Sequence, residues 1–158
     1  MAKDDFRIGV ISDTHGLLRP EAVRALEGSD LIIHAGDMGA SEIVPRLRRV
    51  APVIAVRGNV DRDEWAAPYR QREVVEHGPV TIYVLHNLRE LDLDPVAAGF
   101  AVIISGHSHD PKFYFQDGVL YFNPGSAGPR RFRLPVSLGR ITIRERKLEP
   151  ELISLIED

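Results

Sequence analysis

Five short apolar runs in this chain each end on a polar side chain able to bind a metal ion. They are Arg7-Ile-Gly-Val-Ile-Ser-Asp13-Thr-His15, Leu31-Ile-Ile-His-Ala-Gly-Asp37, Val53-Ile-Ala-Val-Arg-Gly-Asn59, Thr81-Ile-Tyr-Val-Leu-His86 and Ala101-Val-Ile-Ile-Ser-Gly-His107-Ser-His109. Runs of this length, rich in β-branched residues, predict strands buried on both faces. Strands that finish on ligand-type residues at the same end build one site along one sheet rim, where open α/β proteins place their chemistry. The chain is thereby expected to be α/β, with its reactive residues gathered at the C-terminal rim of the strands.

The intervening segments extend this reading. In the first half, strand, loop and helix repeat, which implies neighbouring parallel strands. One helix is predicted over Glu21 to Leu26, with Pro20 at its first turn and Gly28 closing it. A second is predicted from an N-cap at Ser41 towards Arg49, with Pro45 in its opening turns, and a third near Asp94 to Ala98, ending at Gly99. The second half reads as hairpins. Arg72–Val75 and Val80–Leu85 flank His77-Gly-Pro79, Lys112–Phe115 and Val119–Phe122 flank the Asp117-Gly118 turn, and Val136–Arg144 and Leu148–Ile156 flank Glu145-Arg-Lys147. A sheet that begins parallel and ends in hairpins suggests two packed sheets with helices outside, in one domain spanning residues 1–158.

The ligand types point to a metal centre. Asp13 and His15 share an i, i+2 spacing, as do His107 and His109, and on an extended backbone each pair projects to one side and can grip one centre. Glycine stands directly before Asp37, Asn59 and His107, where a missing Cβ allows close approach to a ligand. Any one of these residues alone reads equally well as a turn former, a helix cap or a core histidine. Asp13, His15, Asp37, Asn59, His86, His107 and His109 in register at strand ends do not. Four residues satisfy one metal, so this set implies two ions, with a carboxylate bridging them, and either Asp could bridge. Two divalent ions, two carboxylates and a bridging hydroxide leave a net positive site that favours an anion such as a phosphate ester. Paired metals roughly 3.5–4 Å apart can stabilise both the attacking and the leaving oxygen of an in-line displacement. The nitrogen and oxygen donors, without sulfur, suit Mn²⁺, with Fe, Zn²⁺, Co²⁺ and Ni²⁺ as alternatives.

Composition excludes other classes. A net charge of −3 creates no field to draw in nucleic acid or an anionic membrane, so neither is an expected partner. No apolar stretch approaches a membrane span of about 20 residues. Cysteine is absent, which removes disulfides, thiolate nucleophiles and sulfur-ligated zinc. The Met1–Phe6 segment has no signal-peptide core, so the cytoplasm is the expected location.

The ordered series Asp-x-His at 13–15, Gly-Asp at 36–37, Gly-Asn at 58–59, His86 and Gly-His-x-His at 106–109 resembles the calcineurin-like metallophosphoesterase superfamily. Chain length and the later Asn123-Pro-Gly-Ser126, followed by Pro129-Arg130, are similar to its small bacterial and archaeal phosphodiesterases. The resemblance covers Arg7 to about Ile143. It implies an αββα sandwich with a dimetal site at its rim and hydrolysis of a small phosphodiester by a dimetal-bridged hydroxide. It also implies Asp37 as the bridging carboxylate. The first metal would take Asp13, His15, Asp37 and His109, and the second Asp37, Asn59, His86 and His107. The catalytic residues so implied are Asp37 and Asn59, with His34 as a candidate beside them. Phosphomonoesters are the nearest alternative substrates. The same fold also serves as a protein-interaction scaffold in a retromer subunit, and relatives of this size often form homo-oligomers.

Two departures stand out. Many members read Gly-Asn-His, and that His is thought to protonate or stabilise the leaving group, whereas this chain reads Gly58-Asn59-Val60. Members often continue from the ligand at 86 with Gly, whereas Asn87-Leu88-Arg89 follows here. Of the remaining residues, His34 reads as a support for a ligand or a core histidine, and His77 as a solvated turn residue. Asn123–Ser126 reads as a tight loop approaching the phosphate or simply as a turn, and Arg130, Arg131 and Arg133 as a solvated loop rather than a phosphate clamp. Trp65 and Tyr69 are expected either to cap the core or to stack on a substrate.

Overall fold

Side-chain alternation splits the apolar residues of the first strand between two surfaces, and that split sets the layers of the fold. The computed structural model describes residues 5–131 and 133–156. The start of the Met1–Phe6 segment, residues 1–4, therefore lies outside the described residues. On β1 (Asp5–Ile11), Ile8 and Val10 face one core while Ile11 faces another. β2 (Leu31–His34) and β3 (Val53–Ala55) pair with it in parallel, in the order β1-β2-β3. The chain returns at its end as β9 (Ser137–Arg144), antiparallel to β1, and β10 (Lys147–Ser154). The first sheet is thus β10-β9-β1-β2-β3.

The second sheet runs β4-β5-β6-β8-β7, from β4 (Arg72–His77), β5 (Val80–Leu85), β6 (Val102–Ile104), β7 (Lys112–Gln116) and β8 (Val119–Asn123). The inner faces of the two sheets share one core, with Ile8, Val10 and Ile33 against Ile82, Val84, Ile104 and Phe122. All seven are essentially buried, and each contributes about 1.5–3 kcal/mol of apolar transfer. The outer face of the first sheet packs under α1 (Pro20–Leu26) and α2 (Ile43–Arg48) through Ala22, Leu26, Ile43 and Leu47. Trp65 and Tyr69 pack against this same cluster, so they cap the core. The outer layer of the second sheet is thin. It consists of the single-turn α3 (Pro95–Ala98), with Leu88, Leu91, Leu93 and Phe100 over Tyr83, Leu85 and Ile103. The expected two-sheet αββα architecture is therefore present, with its helices unevenly divided. Among the described residues no helix is long and apolar enough to cross a membrane.

Local chemistry explains most boundaries. Pro20 occupies the first turn of α1, where its missing N–H has no helical partner to lose. Asp94 caps α3 by accepting from the Val96 N–H, and Gly99 ends it at a left-handed φ of 83°. Ser41 does not cap α2. A helix starting there would require residue 45 to donate to the Ser41 carbonyl, and Pro45 has no N–H. The helix starts instead after Glu42, whose carbonyl accepts from Arg46. The final strand opens at Lys147 and closes at Ser154, one residue earlier and two residues shorter at its ends than expected. His77 is not simply solvated, because its ring stacks on Phe6 at 3.8 Å.

Candidate metal centre

All five ligand-bearing segments reach the same rim. The loop after β1 is zipped to the loop after β2 by backbone bonds from Asp13, His15 and Gly16 to Gly36, Asp37 and Met38. This places two carboxylates among three imidazoles. Asp13 Oδ1 lies 3.8 Å from His15 Nε2, 3.9 Å from His86 Nε2 and 3.4 Å from His109 Nε2. Asp37 Oδ2 lies 3.7 Å from His15 Nε2 and 3.2 Å from His86 Nε2. Two overlapping groups, Asp13/His15/His109 and Asp13/Asp37/His86, each bring their donor atoms within 4.8 Å of one another. His107 stands edge-on to His86, ring centres 5.1 Å apart, and with Asn59 it lines the adjoining cleft of about 600 Å³.

The convergence does not come from extended spacing. Asp13, His15, Asp37, His107 and His109 all have positive φ, between 47° and 72°. Among the described residues only Asp117 and Glu145, both in hairpin turns, share this conformation without being glycine. A left-handed non-glycine residue costs on the order of 1–3 kcal/mol and persists only where its surroundings over-determine it. One consequence corrects the i, i+2 reading. His107 and His109 do not grip one centre; His109 leans to His15, with ring centres 5.4 Å apart, and His107 to His86. Close approach also demands two of the glycines. A Cβ on Gly58 would collide with the backbone nitrogen and carboxylate of Asp37, and one on Gly106 with the Ser12 hydroxyl.

Three of the candidate ligands, His86, Asp13 and Asp37, are oriented from behind. His86 Nδ1 donates to the Ala35 carbonyl at 2.7 Å, which leaves Nε2 as an acceptor facing the cluster. Asp13 Oδ2 accepts from the Ser12 hydroxyl at 2.6 Å and the His107 N–H at 3.0 Å, leaving Oδ1 free. Asp37 Oδ1 accepts from the Val60 N–H at 3.1 Å. Three buried atoms, Asp13 Oδ1, His15 Nε2 and His86 Nε2, have no hydrogen-bond partner. An unpaired buried polar atom costs about 1–3 kcal/mol, so three meeting at one place fit a metal ion as the missing partner. Electrostatics agree. Burial pushes the Asp13 carboxyl up, but the nearby imidazoles of His109, His15 and His86 and the Ser12 hydroxyl hold it well below the usual carboxylate range. Asp37 is likewise lowered, burial being outweighed by His86 and the Val60 N–H. For His86 burial acts downward, and Asp37 and Asp13 raise it overall.

His34 takes no part in the cluster. Its Nδ1 accepts from the Gly36 N–H at 3.1 Å, so its Nε2 carries the proton and donates to the Thr14 hydroxyl at 3.0 Å. That hydroxyl in turn donates to the Met38 carbonyl. With both nitrogens occupied and the ring fully buried, His34 has no path to a leaving oxygen. It braces the loops after β1 and β2. Burial lowers its pKa from 6.5 to about 4. An unfolded histidine binds a proton in that window while folded His34 does not, so its contribution to stability is lost as pH falls from 6.5 to 4. His86, with its raised pKa, acts in the opposite sense. Comparing urea unfolding of wild type and His34→Gln isolates the His34 part. The metal-free wild type should lose on the order of 3 kcal/mol more than the variant between those pH values. Parallel losses would show that His34 is not held neutral.

Residues outside the candidate ligand set carry structural duties. Asp61 is buried and accepts from Met38, Gly39 and Gly58 N–H groups, tying the loop of Asp37 to the loop of Asn59. The Asn123–Ser126 loop braces the centre from behind: Ser126 donates to the Asp13 carbonyl, and Asn123 to Gly106 and Ser108. Arg57, whose Nε is buried without a partner, and Arg62 line the cleft beside Asn59. Arg130, Arg131 and Arg133 are exposed, with Arg130 bonded to the Leu134 carbonyl.

Comparison with known proteins agrees with this geometry. The chain is 37% identical to a probable metallophosphoesterase of Methanocaldococcus jannaschii, over 95% of this chain and 82% of the relative. It is 28% identical to a phosphodiesterase of the same organism, over 75% of this chain and 82% of that one. The fold is similar to vacuolar protein sorting 29 of Cryptosporidium parvum, with a TM-score of 0.77 at 17% identity, covering 98% and 100% of the two chains. The calcineurin-like phosphoesterase superfamily domain matches residues 6–146, and the chain belongs to that family of metallophosphoesterases.

Proposed function

We propose that this protein is a phosphodiesterase working with two divalent metal ions, Mn²⁺ foremost. The observation that carries the reading is the meeting of Asp13 Oδ1, His15 Nε2 and His86 Nε2, buried and unpartnered, between two carboxylates. Asp13, His15, Asp37 and His109 would hold one ion, and Asp37, Asn59, His86 and His107 the other. The family resemblance assigns the shared position to Asp37, whose Oδ2 lies 3.7 Å from His15 and 3.2 Å from His86, although Asp13 faces the same two rings. When bound, such ions supply Lewis-acid stabilisation and activate water at neutral pH.

The chain's own groups do the rest. Asp61 and the Val60 N–H hold Asp37 and Asn59 in place, and Ser12 keeps Asp13 turned towards the cluster. Arg57 offers an unspent guanidinium to a phosphoryl oxygen in the cleft. A diester with a good leaving group is favoured over an alkyl monoester because no imidazole is free to protonate a poor leaving group, and the phosphodiesterase relative supports a diester. The complete set of candidate ligands speaks against a purely scaffolding role.

Metal analysis of the purified protein, with turnover of bis-p-nitrophenyl and p-nitrophenyl phosphate before and after chelation, tests the reading. The expected result is two metal equivalents, faster turnover of the diester, and activity that chelation removes and Mn²⁺ restores. His86→Ala and His109→Ala should each weaken a different ion. Loss of the same single ion in both would contradict the ligand assignment. A protein that binds no metal would leave only the scaffold.

A further inference from the structure

His107 and Asn87 also line a second cleft, of about 650 Å³, on the other side of that shared wall. Its size lies within the roughly 300–1,000 Å³ range of small-molecule sites. The floor is the outer face of the second sheet. The β7–β8 register sets Lys112 opposite Asn123 and Tyr114 opposite Tyr121, while Phe122 between them points into the sandwich core. The two tyrosine rings stack with centres 5.1 Å apart and planes 7° from parallel. The opposite wall is a 3₁₀ turn over Leu88–Glu90, capped by Asn87, which brings Arg89 to the groove. This wall is built by the Asn87-Leu88-Arg89 segment that departs from the family pattern. Among the described residues neither Arg89 nor Lys112 forms an ion pair, whereas Arg72, Arg140, Arg144 and Lys147 all do.

Two stacked aromatic rings offer a surface for a planar group, and base–aromatic contacts of this kind are tolerant of sequence. Two unspent cations at the same groove call for an anion. A purely aromatic ligand would make no use of the cations, and a bare phosphate would leave the rings uncovered. We propose that this groove binds a nucleotide unit, its base against Tyr114 and Tyr121 and its phosphate between Lys112 and Arg89. Resting on the phosphodiesterase reading, it deepens it: the substrate is a nucleotide diester whose scissile phosphate reaches the metal cluster past His107. Its hydrolysis consumes one water, whose oxygen becomes bonded to phosphorus. The P–O bond to the groove-bound nucleotide breaks, and the departing oxygen, which no imidazole protonates, becomes a hydroxyl by taking from solvent the proton that the attacking water gives up.

Calorimetric titration of the metal-free protein with adenosine 5′-monophosphate tests the groove without turnover. Tyr114→Ala should weaken binding about tenfold, the size of one base–aromatic contact, while Tyr114→Phe retains it. Lys112→Gln and Arg89→Gln should weaken the nucleotide but not adenosine. No binding to the metal-free protein, or affinities indifferent to all four substitutions, would overturn the inference. A second measurement separates it from the reading it rests on. In the Mn²⁺-loaded protein, kcat/KM for a 5′-phosphorylated dinucleotide relative to methyl p-nitrophenyl phosphate should fall about tenfold in Tyr114→Ala. Should neither diester turn over while the binding pattern holds, the phosphodiesterase reading fails and the groove stands. Should the small diester turn over while binding ignores the variants, the groove alone fails.

Discussion

Replacing Asp37 by asparagine is expected to abolish turnover and to remove at least one metal ion from the protein. The amide keeps the shape of the side chain and can still accept from the Val60 N–H, so the loop after β2 holds its course. It removes the charge that faces both His15 and His86. An amide oxygen bridges two cations poorly, so the loss falls on the metals rather than on the fold. The effect on kcat should be on the order of 10³-fold or more, beyond the about 10–100-fold typical of residues that only support a ligand. Metal content and activity measured on the same preparation check this. Retention of both ions with most of the activity would sink the two-metal reading.

The second large effect concerns the position after Asn59. Val60 presents its backbone N–H to Asp37 and is 45% exposed. Its side chain can neither donate nor accept a proton. Of the six histidines, His15, His86, His107 and His109 belong to the candidate centre, His34 is enclosed, and His77 stacks on Phe6 at the far end of the β4–β5 hairpin. The departing oxygen must therefore leave largely unprotonated, and rates should depend steeply on the acidity of the leaving alcohol. Diesters releasing p-nitrophenolate should be far better substrates than dialkyl esters. The pH–rate profile should rise without a descending limb from a titrating imidazole. Introducing Val60→His, at a position exposed enough to accept it, should flatten the dependence. Turnover of alkyl diesters should rise on the order of 10²-fold, the lower end of general acid catalysis. A flat leaving-group series in the unmodified protein would mean that another group serves as the acid.

What the sequence by itself determined is whatever short-range chemistry controls. Apolar β-branched runs marked the strands, Asp117-Gly118 marked a hairpin, and Asp94 with Gly99 marked both ends of α3, because each signal acts within a few residues. The placement of the candidate ligands at strand ends was legible for the same reason, since a strand's end is local information. Where two local signals compete, as Ser41 does with Pro45, the missing proline N–H moves the boundary. The tertiary structure decided the rest, because it depends on partners far apart in the chain. Asp13 receives the His107 N–H from 94 residues away, and its carbonyl receives the Ser126 hydroxyl from 113 away. Such bonds hold five of the candidate ligands in left-handed backbone, a strained state that no propensity favours and only closed surroundings sustain. Asp61 reads as an ordinary turn acid until Met38 and Gly39 are brought to it from 23 and 22 residues earlier. The groove beside His107 likewise exists only once β7, β8 and the turn at Leu88 meet, since a cleft is a property of packed surfaces rather than of any segment.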